Sequence, residues 1–370
     1  MNNIKLFNEF NGELIDDWEK LDQSGDFSIF QSHQWLRCWW NTFKNTNTSL
    51  QIVVVKNDNT PLILLPLMIT TNSLKLKKLT FLAQNYSDYN YAILSKKLNL
   101  DNFDFEKIWF KIIKKLPRFD ILYFSKQPEK INNFNNKIIF SGKSYFHLKS
   151  YHINLKNDWN EYYSGLKSKF RLDSRRQTRK LKQIGELRFF VADSTEDKIN
   201  ITRKMIDQKS RRYDETGVRN IFNEKNNVNF YLNLAQSESL KSMLHISALI
   251  LNDKIIATHF GFNFKNKFYY LMPTFESGEW RKFSSSRLLL EFLIQYSFES
   301  KFQEFDFTIG GETYKKNWCN SEKKYYQTIN YFSFYGWLYY KYMILKIKVK
   351  SDKKLSKFAN FLFKILNIKP

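Results

Sequence analysis

One ordered series of elements, helix then strands then helix then strand, occurs twice along these 370 residues, and that repetition limits the possible folds more than any other feature. Before Ser150, an acidic segment Gly12–Ser24 reads as a helix. Ser32 is placed to cap a second one that carries Trp35, Trp39 and Phe43 on a single face. Gln51–Val55, Leu62–Ile69 and Leu76–Leu82 read as strands, Phe103–Leu116 as a helix stopped by Pro117, and Asp120–Phe124 as a strand. The second half follows suit. Trp159–Gly165 and Lys167–Gln183 are helical, Leu187–Val191 is a strand, and Ser194–Tyr213 is a helix with its own capping serine. Leu244–Leu251, Lys254–Phe264 and Lys267–Phe275 are strands; Ser286–Glu299 is a buried helix; Phe302–Ile309 and Tyr325–Tyr335 are strands. The fold class is α/β (α+β), with mixed sheets flanked by helices. The expected divisions are 1–150, 151–336 and a basic amphipathic C-terminal helix over 337–370.

Composition narrows the function classes. With 43% apolar and 18% aromatic residues, the chain has a core to bury, which excludes intrinsic disorder. Cys38 and Cys319 stand far apart, so neither a disulfide framework nor a cysteine metal knuckle is expected. The longest apolar run, Pro61–Ile69, is too short to cross a bilayer, and no secretory leader is read. The expectation is a soluble or peripheral protein of a reducing compartment. The formal charge of +23 favours an anionic partner, and it is clustered: nine bases lie between Lys167 and Arg188, and nine lysines between 341 and 370. The tail interleaves those lysines with Tyr, Ile, Leu and Phe, as a helix resting on an anionic membrane surface would. A helix that docks its apolar stripe on the domain fits the same pattern.

Chemistry concentrates between Lys254 and Lys315. The run Arg281-Lys282-Phe283-Ser284-Ser285-Ser286-Arg287 opens a helix, where free N–H groups and the positive dipole end suit a phosphate or diphosphate. An ordinary serine cap on a core helix fits the same letters. In the strand ending at Ile309, alternation puts Phe305, Phe307 and Ile309 on one face, with Glu304, Asp306 and Thr308 on the other. Asp306 is thus a candidate base or amine-orienting group, followed by Gly310-Gly311, Tyr314 and Lys315. A carboxylate paired to a base such as Lys315 is the competing reading. His259 shares its strand face with Ala257, Gly261 and Asn263, small neighbours beside a natural proton shuttle, although a core histidine is as compatible. The histidines show no ligand spacing, so no metal is expected. No nucleophile elbow, Walker loop or dinucleotide glycine pattern is present, which disfavours those enzyme classes.

With these residues laid out, the chain resembles the Fem/CelD-like branch of the GNAT acyltransferase superfamily, bacterial proteins with two GNAT-like units in tandem. The resemblance runs from about Phe30 to Tyr335. It is carried by Phe30-x-Ser32-x-x-Trp35, by Ser87-Asp88-Tyr89, by the Arg-rich segment Phe170–Gly185, and by Asp306-Phe307-x-x-Gly310 followed by Tyr314-Lys315 and Trp318. Where the family often has Ser-Pro-Gly, and GNAT pyrophosphate loops have Gly-x-Gly/Ala, this chain has Ser284-Ser285-Ser286. The resemblance implies an N-acetyltransferase using acetyl-CoA or another acyl-CoA, held by Arg281, Ser284, Ser285, Ser286 and Arg287. It implies that Asp306 or His259 takes the proton, that Tyr314 protonates the leaving thiolate, and that Lys315 binds charge. Asp88, Tyr89, Arg171 and Arg175 would contact the acceptor. The implied acceptor is an amine on a cell-envelope sugar or glycolipid precursor, and the implied location is the cytoplasm, at or near the inner membrane. An aminoacyl-tRNA donor, as in the Fem peptidoglycan transferases, and a non-catalytic role in envelope polysaccharide assembly are the alternatives.

Overall fold

The computed structural model describes residues 2–98, 104–131, 134–156 and 158–351. The first unit contains β1 (Asn2–Phe7), α1 (Gly12–Ser24), α2 (His33–Phe43), β2 (Thr48–Asn57), β3 (Thr60–Thr71), β4 (Lys77–Phe81), β5 (Ile93–Leu94), α3 (Phe105–Lys115) and β6 (Ile121–Pro128). After the short strands β7 (Lys130–Ile131) and β8 (Phe134–Asn135) it ends in β9 (Lys143–Asn154). Helices α4 (Trp159–Gly165) and α5 (Ser168–Ile184) lead to the second unit. That unit has β10 (Leu187–Val191), α6 (Thr195–Thr216), α7 (Lys225–Gln236), β11 (Leu244–Leu251), β12 (Lys254–Phe264), β13 (Lys267–Tyr270), β14 (Thr274–Phe275), α8 (Ser285–Glu299), β15 (Glu304–Ile309) and β16 (Ser321–Tyr331). Helix α9 (Phe334–Ser351) follows. Capping serines sit where the letters place them: Ser32 Oγ accepts from Trp35 N at 3.3 Å, and Ser194 Oγ from Asp197 N at 3.0 Å.

Apart from a separate β7/β8 hairpin, the strands form one sheet in the order β1-β2-β3-β4-β6-β16-β9-β15-β13-β12-β11-β10, with β5 added to β3 and β14 to β12. Read from either end the series is the same: β1 to β6 of the first unit answer to β10 to β15 of the second. In each unit the fourth strand pairs parallel with the strand after the crossover helix, β4 with β6 and β13 with β15. The closing strands are exchanged. β9, the last strand of the first unit, pairs with β15, whereas β16, the last of the second, pairs with β6, and the two pair with each other. The architecture is therefore two tandem units closed by exchange.

Three packed layers hold the sheet. A single core crosses both units on one face, where Phe30 and Trp35 of the first unit meet Tyr269, Phe230 and Phe262 of the second edge-on at 5.2–6.0 Å. On the other face α3 covers the first unit and α8 the second.

Several elements depart from expectation. The stretch expected as one strand, Lys267–Phe275, breaks after Tyr270, because Leu271-Met272-Pro273 bulge out of the regular ladder, held to β12 only by Met272 N donating to Phe260 O at 3.0 Å, before β14 rejoins β12. Strands β1 and β9 and helix α7 went unassigned, and β9 runs through residue 150. Helix α9 begins at Phe334 rather than Trp337, where Ser333 Oγ accepts from Gly336 N and bonds Asp120. It is not amphipathic: it is apolar on its docked side and largely apolar on its outer side. The expectation for 341–370 meets the structure only as far as Ser351; residues 352–370 lie outside the described residues.

Candidate active site

The parallel pair β13/β15 is joined at Lys267/Glu304, Phe268/Phe305 and Tyr269/Asp306, and then separates. Two features force the separation. On one side the chain turns out through Pro273, which has no N–H to give. On the other, Thr308 takes a left-handed conformation (φ 57°) and β15 bulges against β9 between Asp306 and Ile309. The alternation expected for β15 therefore holds only to Phe307. Phe305 and Phe307 face α8, but Ile309 crosses to the opposite core because the turn at Thr308 reverses the pleat.

The gap opens into two adjoining cavities that share Lys209, Tyr270, Pro273, Glu312 and Tyr314. The first, 760 Å³, runs past Phe275, Trp318 and Phe170 to the N-terminus of α8 and is lined there by Ser284, Ser285, Ser286, Arg281 and Arg287. Ser284 stands at φ 53° and no side chain caps the helix, so its first amides are left for a ligand. The left-handed residue stands where the GNAT loop has its first glycine, and serine keeps the glycine-type backbone. Ser285 turns inward, donating to Ile256 O at 3.2 Å. Arg287 stacks over Phe170 of α5 at 5.3 Å, and Arg281 is paired with Glu215 at 2.7 Å. The matching helix of the first unit, α3, is capped by Asp104, whose carboxylate accepts from Lys107 N at 3.0 Å and would repel an anion.

The second cavity, 530 Å³, is walled by the first unit: Asn85, Tyr86 and Asp88 face Thr308, Ile309 and Lys315. Trp35 Nε1 donates to Ser87 Oγ at 3.1 Å within the first unit, and Tyr86 OH donates to Asn227 at 2.6 Å, which ties this loop to the second unit. The loop also closes the equivalent gap in its own unit. There Gln84 Oε1 accepts from Ser125 N, and Asn90 bonds the Gln84 and Ser125 carbonyls. Burial raises the Asp88 carboxyl above the ordinary aspartate range, opposed by Lys126 at 4.0 Å, by the Thr308 hydroxyl and by Lys315. Tyr314 is pushed well up by burial and by Glu312, so it keeps its proton at neutral pH. The Tyr270 hydroxyl lies against both Ser286 and Tyr314 and so links the α8 end of the groove to Tyr314. Lys315 Nζ bonds Ile309 O and Glu312, both at 3.0 Å, and so pairs with Glu312 rather than Asp306.

Asp306 does not line the groove. It is 2% exposed, and its Oδ1 accepts from Tyr89 OH at 2.6 Å and Thr308 N at 2.7 Å, with His152 Nδ1 at 3.5 Å. It fixes the bulge and locks the Asp88-Tyr89 loop to β15, and its remaining surface belongs to a third cavity. His259 is fully buried one layer behind the groove, stacked on Tyr270 at 5.0 Å, with both ring nitrogens unpartnered and its pKa driven far down by burial. There is no room left by Gly261: a Cβ there would meet Tyr269 O at 2.1 Å and His259 Cε1 at 2.5 Å. Tyr89 serves Asp306. Arg171 Nε bonds Leu166 O, and Arg175 lines a separate shallow cavity beside Glu291.

Pairing of β9 with β15 brings His152 together with Glu304 and Asp306, a group able to hold a metal ion that spacing along the chain does not reveal. Its members already satisfy one another. His152 Nδ1 lies 2.9 Å from Glu304, Lys323 bridges Glu304 at 2.9 Å, and these contacts hold the carboxyl low against the effect of burial. Tyr270 and Lys209 went unnoticed in the letters; the signal for Tyr270 was its place just before the Leu-Met-Pro exit from the sheet.

Comparison with known proteins agrees with this geometry. Residues 168–316 match the family described as an acetyltransferase (GNAT) domain. The fold is that of the FemX crystal structure, at TM-score 0.59 and 9% identity over 86% of this chain and 96% of FemX. Residues 168–316 carry a GNAT domain, and the chain as a whole has the FemX fold. The C-terminal domain of a putative lysylphosphatidylglycerol synthetase from Agrobacterium fabrum is also similar, at TM-score 0.51 and 10% identity over 91% of this chain and 97% of that one. So is L-PGS from Bacillus licheniformis, at TM-score 0.51 and 10% identity over 88% and 93%. No curated protein sequence matches. No helix among the described residues is long and apolar enough to cross a membrane.

Proposed function

We propose that the chain transfers an acyl group, acetyl in the simplest case, from an acyl-CoA to an amine on a cell-envelope sugar or its precursor, in the cytoplasm. The observation that carries this reading is the groove itself, with an uncapped helix N-terminus at one end and the half-buried Asp88 carboxyl at the other. The α8 amides and Arg287 suit a diphosphate, while Phe275, Trp318 and Pro273 suit a slender apolar arm. In this reading the acceptor amine enters on the Asp88 side and attacks the thioester carbonyl directly. Asp88, rather than the fully engaged Asp306 or the enclosed His259, takes the amine proton, and its raised pKa brings it nearer to the working pH. Tyr314, held protonated by burial and by Glu312, gives its proton to the departing thiolate.

Calorimetry with coenzyme A tests the donor end. Ser286→Glu should weaken binding about tenfold or more by placing a carboxylate on the anion site; equal binding by both proteins, or none by either, overturns the placement. Tyr314→Phe should lower thiol release about a hundredfold while leaving coenzyme A affinity intact. Mass spectrometry of envelope glycans from a deletion strain identifies the acceptor.

A second reading keeps the fold and takes an aminoacyl-tRNA as donor. It is favoured by α5, which presents Arg175, Arg176, Arg179, Lys180 and Lys182 to solvent around one acid, Asp173. Salt-dependent tRNA binding weakened by Arg175→Glu supports it, and salt-insensitive or absent binding removes it.

A further inference from the structure

Helix α9 docks through one stripe. Tyr340, Met343, Ile344 and Ile347 pack on Ile121, Ile329 and Leu76, and Gly336 lies so close to Asp120 that a Cβ would meet its carbonyl oxygen at 1.9 Å. A docked surface helix normally turns a polar face outward. This one does not. Phe334 (68% exposed), Tyr335 (70%), Leu338 (47%), Tyr342 (55%) and Leu345 (62%) form a continuous outer row at three- and four-residue spacing. No carboxylate occurs between residues 332 and 351. Lys341 and Lys346 are exposed along the same row, and Lys341 lies over Trp337 at 5.5 Å.

Leaving such a row in water is unfavourable, so something covers it. Rings and leucines suit the boundary between headgroups and acyl chains, and the interleaved lysines suit lipid phosphates. A protein surface of mixed charge would be met by acids as well as bases at the rim. We propose that the outer face of α9 rests on an anionic lipid bilayer, with the helix lying in the plane of the membrane surface. The proposal is independent of the acyl chemistry above.

The test is co-sedimentation of the full chain with vesicles of phosphatidylcholine alone and of phosphatidylcholine mixed with phosphatidylglycerol. Wild type is expected on the anionic vesicles and not on the neutral ones. Leu338→Gln with Leu345→Gln, both at exposed positions that the fold does not need, should cut the bound fraction about tenfold, and Lys341→Gln with Lys346→Gln should remove the preference for anionic lipid. Quenching of Trp337 by brominated lipid, lost in Trp337→Phe, supports the same placement in otherwise unaltered protein. Binding unaffected by the leucine pair overturns the proposal. So does absence of binding, or a dimer in light scattering that the same pair dissociates.

Discussion

Replacing Asp306 by alanine separates two roles that a buried acid beside an active groove can have. The carboxylate receives Tyr89 OH at 2.6 Å and Thr308 N at 2.7 Å in a site almost closed to water. Hydrogen bonds to a charged group contribute about 1.5–3 kcal/mol each, and alanine leaves both donors without an acceptor, so the expected loss is about 3–5 kcal/mol. At roughly 2.1 cal/mol/K of unfolding entropy per residue over 370 residues, each kcal/mol moves Tm by about 1.3 °C, which gives a fall of about 4–6 °C. Asp306→Asn keeps an oxygen for both donors and should cost about 1–2 kcal/mol, a fall of about 1–3 °C. Differential scanning calorimetry of both variants, with Tyr89→Phe to close a double-mutant cycle, measures these shifts; the Tyr89–Asp306 coupling should be about 1–3 kcal/mol. Thiol release by Asp306→Asn should keep the pH profile of the wild type. A variant as stable as wild type but devoid of turnover would show that Asp306 acts on substrate, and the argument that it fixes the bulge would fail.

Three further outcomes are expected. Asp88→Asn should abolish turnover yet stabilise the fold at neutral pH. Because burial raises the Asp88 pKa, its contribution favours folding below the unfolded aspartate value and is lost as pH rises through the raised one, so denaturant midpoints of mutant and wild type should diverge in the mutant's favour from pH 4 to pH 7. Ser284→Gly, at φ 53°, should raise stability by about 0.5–1 kcal/mol in a chemical denaturation series without weakening coenzyme A binding, whereas Ser284→Val should lose both. Gly336→Ala should release α9 from Asp120, seen as faster proteolysis after Tyr331 with the rest of the chain intact.

What could be read in the letters follows the reach of the forces involved. Caps and helical periods are local, and α1 lies on its expected residues while α8 starts one residue early. Strand β9 escaped notice because Lys143-Ser144-Tyr145-Phe146-His147 shows no apolar period; its partners β15 and β16 lie 150 residues or more away and supply the burial. Asp306 was recognised as a special acid, but its use depends on the left-handed Thr308 and on Tyr89, both set by tertiary contacts. Gly261 beside His259 suggests a vacancy in the letters, but the space there is filled by the Tyr269 carbonyl of the neighbouring strand and by the imidazole itself. The tail was read as lysines opposite an apolar stripe, and only docking shows that apolar residues remain on the side turned away.

The exchanged strands set a schedule for biosynthesis. The edge of β6 is completed by β16, so the amino-terminal half emerges from the ribosome and waits while some two hundred further residues are made before its last neighbour exists. Until then that edge is bare backbone able to recruit a stray strand. Neither half, expressed alone, possesses a finished sheet, and the pair matures as one object or not at all.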